Sequence, residues 1–292
     1  MRIKKYSIPN CPRIALLADL HNHPVPESVL RQLESLPVDI IAIAGDVIYG
    51  SKPVDDQSPL TTQEHVLPTL KALASIAPTF LSLGNHEKYL DSTDQDVMNA
   101  TGVTVLDNWY KTVNAAGRTL VLGGLTSAFV TEYRKYKPKS RLRYPDLPRD
   151  LRLEHKPDQS WLEGFSATSG FHILLFHHPE YYSLVPAGVE LTVSGHAHGG
   201  QINYWSFRDR RPRGLFAPGQ GVFPRYTSGV YEEENRGRLV VTRGMSNTAG
   251  VPRLFNPLEV VVIGPQLPFP LRPFFNTSLQ HESDILQAGA GH

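Results

Sequence analysis

Short apolar runs rich in Ile, Leu and Val recur along this sequence, and they constrain the fold more than any other feature. Such runs are typical of strands buried on both faces, because the layers that cover the sheet leave neither face in water. Eight runs predict strands, at residues 13–18, 39–44, 79–83, 119–122, 172–176, 191–193, 239–242 and 259–263.

Two segments between the first of these runs have the spacing of amphipathic helices. In residues 27–36, the apolar side chains recur every three or four positions and so lie on one face. Residues 62–76 show the same spacing, but Pro68 predicts either a kink or a later start of that helix. Helices and strands alternate early and strands dominate late. This order predicts an α/β fold built as a layered sandwich rather than a doubly wound sheet.

The length of 292 residues is sufficient for one large α/β domain or two small ones. We predict one domain over residues 1–265. Within it, residues 131–157 are basic, poor in aliphatic side chains and contain four prolines, which predicts a long loop excursion. Residues 266–292 are Pro-rich and then polar, which is typical of a C-terminal tail.

Composition narrows the location and the partners. The net charge is +1 with histidine neutral, so overall charge does not favour nucleic acid as a partner. Cys11 is the single cysteine, no apolar stretch approaches the ~20 residues of a membrane span, and the run after the basic N-terminus is too short for an export signal. We therefore expect a cytoplasmic protein, with a peripheral membrane contact left open and no protein partner indicated.

Polar residues follow five of the predicted strands, at the point where each strand ends. Ligands of open α/β sheets bind beyond the carboxyl ends of the strands, so these side chains are expected to converge. They are Asp19 and His21, Asp46, Asn85, His177, and His196 with His198.

Carboxylate, imidazole and amide oxygen without thiolate are ligands that suit Mn²⁺, Fe or Zn²⁺, and we favour Mn²⁺. Asp46 is the candidate for a carboxylate shared by two ions. Two ions so placed would lower the pKa of a water between them and clamp the phosphoryl oxygens for in-line attack. Each motif alone is as consistent with a turn as with a site, whereas all five in order, each ending a strand, favour function.

The ordered motifs resemble those of the calcineurin-like metallophosphoesterases, in which Asp-x-His, Gly-Asp, Gly-Asn-His-Asp/Glu, His and Gly-His-x-His follow one another. The resemblance extends over residues 14–263. Further segments are similar to the bacterial phosphodiesterases of the YaeI and YkuE type. These segments are residues 194–201, 214–218, 226–231 and 242–244.

The resemblance implies a four-layer αββα sandwich and a role for each motif residue. His86 would protonate the leaving oxygen or steady the phosphate. His177 is preferred to His178 because it directly follows the strand. One metal would be held by Asp19, His21 and His198, and the other by Asn85, His177 and His196, with Asp46 bridging the two.

The expected function is hydrolysis of a phosphoester, with a phosphodiester favoured, by attack of a hydroxide held between two metals. One alternative is a hydrolase that cleaves the pyrophosphate of a nucleotide-linked lipid, which an apolar groove beside the metals would favour. Another is a non-catalytic interaction scaffold on the same fold, against which the complete ligand set and His86 argue.

Three residues outside the metal motifs are candidates for substrate contacts. His23 follows the first motif, although an exposed loop histidine is the simpler interpretation. Arg208 and Arg210 follow the last motif closely, where a surface loop is an equal alternative. The basic residues of segment 131–157 are interpreted as a solvated loop in preference to a clamp for an anionic substrate or lipid headgroups.

Overall fold

A computed structural model of the protein describes residues 1–50, 57–136, 156–207, 211–247 and 250–265. Two six-stranded sheets form its centre. The strands of the first sheet are β1 (Arg2–Ser7), β2 (Ile14–Leu17), β3 (Ile40–Ala44), β4 (Thr79–Ser82), β5 (Val103–Leu106) and β16 (Glu259–Gly264). Those of the second are β6 (Trp109–Ala115), β7 (Arg118–Leu125), β8 (Phe171–Phe176), β9 (Leu191–Ser194), β14 (Gly229–Tyr231) and β15 (Arg238–Val241).

The parallel strands place the predicted site beyond their carboxyl ends in both sheets. The first sheet runs β1-β16-β2-β3-β4-β5, and β2 to β5 are parallel. The second runs β14-β15-β9-β8-β7-β6, and β7, β8, β9 and β15 are parallel. Two small hairpins follow β9. They are formed by β10 (Asn203–Ser206) with β11 (Arg211–Gly214) and by β12 (Phe216–Ala217) with β13 (Gly221–Val222).

Side chains that alternate along β2 show how the layers stack, since successive residues of a strand point to opposite faces. Ile14 and Leu16 belong to the core between the two sheets. Ala15 and Leu17 face a second core, shared with helices α1, α2, α3 and α4. In the described part of the chain, the α-helices are α1 (Glu27–Ser35), α2 (Val66–Ile76), α3 (Ser92–Asn99), α4 (Ala128–Tyr136) and α5 (Leu162–Ala167).

The outer face of the second sheet is covered by α5 and by a 3₁₀ helix over Pro179–Leu184. Tyr182, Phe165 and Phe176 are the largest fully buried side chains of this third core. The molecule is therefore the four-layer α/β sandwich that the sequence predicts. None of the helices given above is both long and apolar enough to cross a membrane.

The eight predicted strands correspond, within three residues at their ends, to the eight inner strands of the two sheets. The apolar runs missed the strands of the two small hairpins and, within the two sheets, the four edge strands β1, β5, β6 and β14. Edge strands are exposed to water on one side, so β1 and β6 carry exposed polar residues between apolar ones.

Helix α2 begins at Val66, so the late start is confirmed. Pro68 lies in its first turn, where a backbone N–H would have no helical partner. The prediction of a loop over residues 131–157 is wrong for residues 131–136, which form the end of α4. Val130 and Tyr133 are both buried at helical spacing, which the basic composition of the segment concealed. Residues 137–155 and the predicted tail 266–292 lie outside the described residues.

Candidate metal centre

The loops that follow β2, β3 and β4 are joined through their backbones. The Asp19 N–H donates to the Gly45 carbonyl at 3.1 Å, and the His21 N–H donates to the Asp46 carbonyl at 3.0 Å. Asn85 follows β4, and Gly84 before it contacts the Asp46 loop so closely that a Cβ there would lie 2.2 Å from Asp46 Oδ1. Parallel strand ends thus bring the first three motifs together.

Asp19, His21 and His198 form the first group, called the Asp19 half below. One ligand atom from each lies within 4.8 Å of the others. Asp19 Oδ1 is 3.9 Å from His21 Nε2 and 3.6 Å from His198 Nε2, and all three residues are buried. Two imidazole nitrogens therefore face one carboxylate oxygen across a space the size of a metal ion.

Asp46, His177 and His196 form the second group, called the Asp46 half. His177 Nε2 lies 2.9 Å from Asp46 Oδ2 and 3.2 Å from His196 Nδ1. His177 Nδ1 is 2.7 Å from the Ala44 carbonyl, to which it donates its proton. That contact leaves Nε2 as the nitrogen of His177 that faces the site.

Asp46 lies between the two halves. The same oxygen, Oδ2, is 2.9 Å from His177 Nε2 and 3.8 Å from His21 Nε2. Its other oxygen accepts the His86 backbone N–H at 2.9 Å. This position agrees with a carboxylate shared by two ions, although bridging itself stays a prediction.

The backbone is in the left-handed region at five of the seven predicted ligands. Most side chains avoid this region because of steric clashes, and such residues concentrate at functional sites, where the surrounding structure holds them. The five are Asp19, His21, Asp46, His196 and His198, with φ between 46° and 64°.

Burial and charge set the protonation of the group. Burial lowers the pKa of His21 to about 4. Burial also acts to lower the pKa of His177, but the Asp46 carboxylate outweighs it and raises that pKa to about 10. In turn His177 holds the pKa of Asp46 well below its usual range despite burial. The site therefore offers the ionised carboxylate of Asp46 and the uncharged imidazole of His21 to a cation.

Several polar atoms at the centre have no hydrogen-bond partner among the described residues although they are buried. Orphaned buried polar atoms are uncommon in proteins, because each one forfeits its hydration. Asp19 Oδ1 and His21 Nε2 lie 3.9 Å apart, and all of the unpartnered atoms are oxygen or nitrogen donors of the kind that bind divalent cations. The residues thus fit a metal. The atoms are Asp19 Oδ1, both ring nitrogens of His21, and Asn85 Oδ1.

A comparison with known families identifies the chain. The sequence profile of the calcineurin-like phosphoesterases matches residues 12–200, which is more than half of the chain. The chain belongs to the calcineurin-like phosphoesterase family. It is therefore a metal-dependent phosphoester hydrolase, and the resemblance predicted from the motifs is confirmed.

Two curated relatives are also metallophosphoesterases. An uncharacterized metallophosphoesterase of Aquifex aeolicus is 25% identical over 277 residues, which covers 90% of this chain and 91% of the relative. The uncharacterized metallophosphoesterase YkuE of Bacillus subtilis is 28% identical over 240 residues, which covers 80% and 70%. Among solved structures, the 5'-nucleotidase precursor of Thermus thermophilus matches 80% of this chain and 48% of its own, with 16% identity and a TM-score of 0.48.

His86, the family's predicted proton donor, lies beside both halves. Its ring centroid is 4.4 Å from that of His21, and its Nε2 is 3.8 Å from Asp46 Oδ2. The Gly50 backbone N–H donates to His86 Nδ1 at 2.8 Å. A neutral His86 therefore carries its proton on Nε2, so this nitrogen is a donor rather than a metal ligand.

Glu87 belongs to the third motif, but the sequence analysis assigned it no role. It is fully buried, and its carboxylate accepts four backbone N–H groups at 2.7 to 3.2 Å. Three come from the loop after β3 and one from the loop after β4. Glu87 thus holds together the two loops that carry Asp46 and Asn85. The donors belong to Asp46, Val47, Ile48 and Gly84.

Two side chains near His196 and His198 were not predicted from the sequence. Arg253 Nη2 lies 2.8 Å from His198 Nδ1. Glu180 and His178 form a further metal-capable group with His196. Arg253 lies in no recognisable motif, whereas the spacing of His178 and Glu180 directly after His177 could have drawn attention to them.

The predicted substrate contacts are less informative. His23 is exposed in the turn after Leu20. Arg208 and Arg210 lie outside the described residues. Arg134, from the basic segment, forms an ion pair with Asp107 at 2.6 Å, so this arginine serves a contact within the protein.

Proposed function

We propose that this enzyme is a phosphodiesterase that uses two divalent metal ions, with Mn²⁺ the preferred metal. The observation that carries the proposal is the convergence of buried oxygen and nitrogen donors, some of them without a hydrogen-bond partner, in the loops that follow strands of both sheets. Asp19, His21 and His198 would hold one ion. Asn85, His177 and His196 would hold the other, and Asp46 would bridge.

The bound metals would supply an activated water and neutralise charge on the phosphoryl oxygens. The protein's own side chains provide the remaining chemistry. His86 directs Nε2–H towards the space beside Asp46, since Nδ1 is occupied by the Gly50 N–H. From there it would donate a proton to the leaving oxygen as the ester bond breaks. A scaffold would have no use for a proton donor held in this way.

Metal removal tests the proposal. Protein treated with a chelator should lose activity on bis(p-nitrophenyl) phosphate and regain it with Mn²⁺, because the activated water and the charge stabilisation both depend on the ions. Metal content is measured on the same samples. Undiminished activity at less than about a tenth of a metal ion per chain would exclude this mechanism.

A second candidate function is cleavage of a pyrophosphate in a nucleotide-linked lipid. It is favoured by an apolar rim, formed by the exposed side chains of Tyr204, Phe223, Leu254 and Phe255. The rim adjoins the centre, because Asn256, next to Phe255, donates to the His198 carbonyl at 2.7 Å. Tyr204 and Phe223 are in ring contact at 6.2 Å between centroids.

The rim predicts how substrate preference should change. Replacement of Phe223 and Phe255 by Ser should lower kcat/KM for a lipid-linked nucleoside diphosphate, because apolar contact would be lost at about 25 cal/mol per Å². Activity on bis(p-nitrophenyl) phosphate should stay the same, since the ligands are untouched. Equal kcat/KM of the unmodified protein for long-chain and short-chain diphosphates would rule out a role of the rim in binding lipid.

A further inference from the structure

Side chains of opposite charge lie near the two histidines of the Gly-His-x-His motif. Arg253 contacts His198 of the Asp19 half. Glu180 lies near His196 of the Asp46 half. A metal-bound histidine is commonly supported by a carboxylate or a carbonyl through its second ring nitrogen, which increases its basicity as a ligand. His198 departs from that rule, because the side chain that contacts its second ring nitrogen is a cation.

Arg253 is fixed behind His198 by three contacts. Its Nη2 lies 2.8 Å from His198 Nδ1 and 2.5 Å from the Ser246 carbonyl, and its Nη1 donates to the Arg243 carbonyl at 2.7 Å. A guanidinium has only donors and stays protonated, so His198 Nδ1 must accept. Within the described part of the chain, no carboxylate lies within ion-pair distance of this guanidinium.

This contact makes His198 a poor ligand. A neutral imidazole that accepts at Nδ1 carries its proton on Nε2, so Nε2 can bind a cation only after the contact with Arg253 is broken and the proton moves to Nδ1, whereas a carbonyl or carboxylate partner would hold the proton on Nδ1. The positive charge also repels a divalent cation on the opposite side of the same ring. Both effects act on Nε2, the nitrogen that faces Asp19 Oδ1 at 3.6 Å.

The Asp46 half has the usual support. His177 donates through Nδ1 to the Ala44 carbonyl at 2.7 Å. His196 directs Nδ1 at His177, and its other nitrogen lies on the side of Glu180, next to Gly219. The Glu180 carboxylate is also 3.5 Å from His178 Nδ1, and its Oε2 is buried without a hydrogen-bond partner among the described residues.

We propose that Arg253 makes the Asp19 half the weaker of the two cation positions, so that the first ion to bind occupies the Asp46 half. The inference rests on the proposed metal centre and adds to it an order of filling. Arg253 is a positioning residue in this scheme, because it acts on the ion only through His198.

Mn²⁺ titration of the chelator-treated protein, in competition with a metal-sensing dye, tests the inference without measuring activity. The unmodified protein should show two dissociation constants that differ by about ten-fold or more. Arg253→Met keeps the length of the side chain and removes its charge, so it should tighten the weaker constant by about ten-fold. Arg253→Lys retains a cationic donor and should leave that constant weak.

Arg236→Met is the matched control. Arg236 also donates to a backbone carbonyl, that of Ser183, but its charge pairs with Glu233 and it touches neither half. Both Mn²⁺ constants should stay unchanged in this variant. Anomalous scattering from crystals grown with one equivalent of Mn²⁺ should place the ion in the Asp46 half.

Weaker or unchanged Mn²⁺ binding in Arg253→Met would overturn the inference, as would a single ion found in the Asp19 half. If Arg253→Met does not fold, Glu180→Gln tests the inference at the Asp46 half. It should weaken the tighter constant, and an unchanged constant would again contradict the inference. An unmodified protein that binds no Mn²⁺ would refute the proposed metal centre itself, and this inference with it.

Discussion

The two sheets contribute to the centre in different ways. The first sheet supplies the candidate oxygen ligands Asp19, Asp46 and Asn85, with His21 as its one candidate imidazole ligand. The second supplies imidazoles alone, from His177, His196 and His198. Negative charge thus comes from one sheet and most of the nitrogen ligands come from the other.

The means of support also differ. In the first sheet, one buried carboxylate, Glu87, gathers four backbone N–H groups and fixes two loops at once. In the second, the His177 carbonyl accepts separate bonds from the Ser194 hydroxyl at 2.7 Å and the Gly195 N–H at 3.2 Å. Damage to the first sheet's support should therefore spread across the site, whereas damage to the second should stay local.

The largest effect is expected from Asp46→Asn. The substitution removes the negative charge that lies 2.9 Å from His177 and 3.8 Å from His21, so both halves should lose metal. Activity should fall to that of the chelated protein. His21→Ala is the comparison, because His21 belongs to the Asp19 half and should lower occupancy mainly there.

Occupancy is measured for each position by anomalous scattering, and total metal is measured by elemental analysis. Two fully occupied positions in Asp46→Asn would contradict the bridging role. Loss of both ions in His21→Ala would show that the halves are not separable in the way the distances indicate.

His86→Ala should have the next largest effect, and it separates proton donation from metal binding. A proton donor contributes typically 10²–10⁴-fold when the leaving group is poor, whereas an acidic phenol departs without help. The variant should keep both metals and lose more kcat on an alkyl phosphodiester than on a p-nitrophenyl ester. Equal losses on both esters would indicate that His86 positions the phosphate instead.

His65→Ala is a suitable control for that experiment. His65 is a half-exposed histidine at the start of α2, and its side chain contacts Glu64 rather than either half. Its kcat on both esters should match that of the unmodified protein. Loss of a metal in His86→Ala would make His86 a ligand and contradict the tautomer that Gly50 imposes.

Sequence predicted the inner strands of the fold because burial on both faces leaves a signature that does not depend on partners. Edge strands have no such signature, and β1, with Arg2, Lys4 and Lys5, is apolar at only some positions. The end of α4 was missed for a related reason. The segment was judged by its basic composition, which concealed the two buried side chains Val130 and Tyr133.

The candidate ligands were predictable because they follow inner strands, where few alternatives exist. Their supporting residues were not. Three of the four N–H groups that Glu87 accepts belong to the loop after β3, about 40 positions earlier, and only the folded chain brings them to it. Arg253 lies 55 positions after His198, and no local pattern predicts their contact.

The smallest effects are expected on stability, and they test the difference in support between the sheets. Each oxygen of Glu87 accepts two N–H groups, so in Glu87→Gln the amide nitrogen would face two donors. Buried donors left without acceptors cost roughly 1–3 kcal/mol each, so we expect the free energy of unfolding to fall by about 3 kcal/mol. Ser194→Ala removes a single hydrogen bond and should cost about 1 kcal/mol.

Urea unfolding of metal-free protein measures both changes, because bound ions would otherwise add their own contribution to stability. Ser166→Ala is the matched control, since that hydroxyl bonds the Glu163 carbonyl on the exposed face of α5 and its loss should leave the midpoint unchanged. Metal binding then separates the sheets. Glu87→Gln should weaken Mn²⁺ at both positions, because the Asp46 and Asn85 loops move together, whereas Ser194→Ala should affect mainly the position that His177 serves. An equal loss of stability in Glu87→Gln and Ser194→Ala, with equal changes in Mn²⁺ binding, would mean that the buried carboxylate is no more central to the site than one hydroxyl.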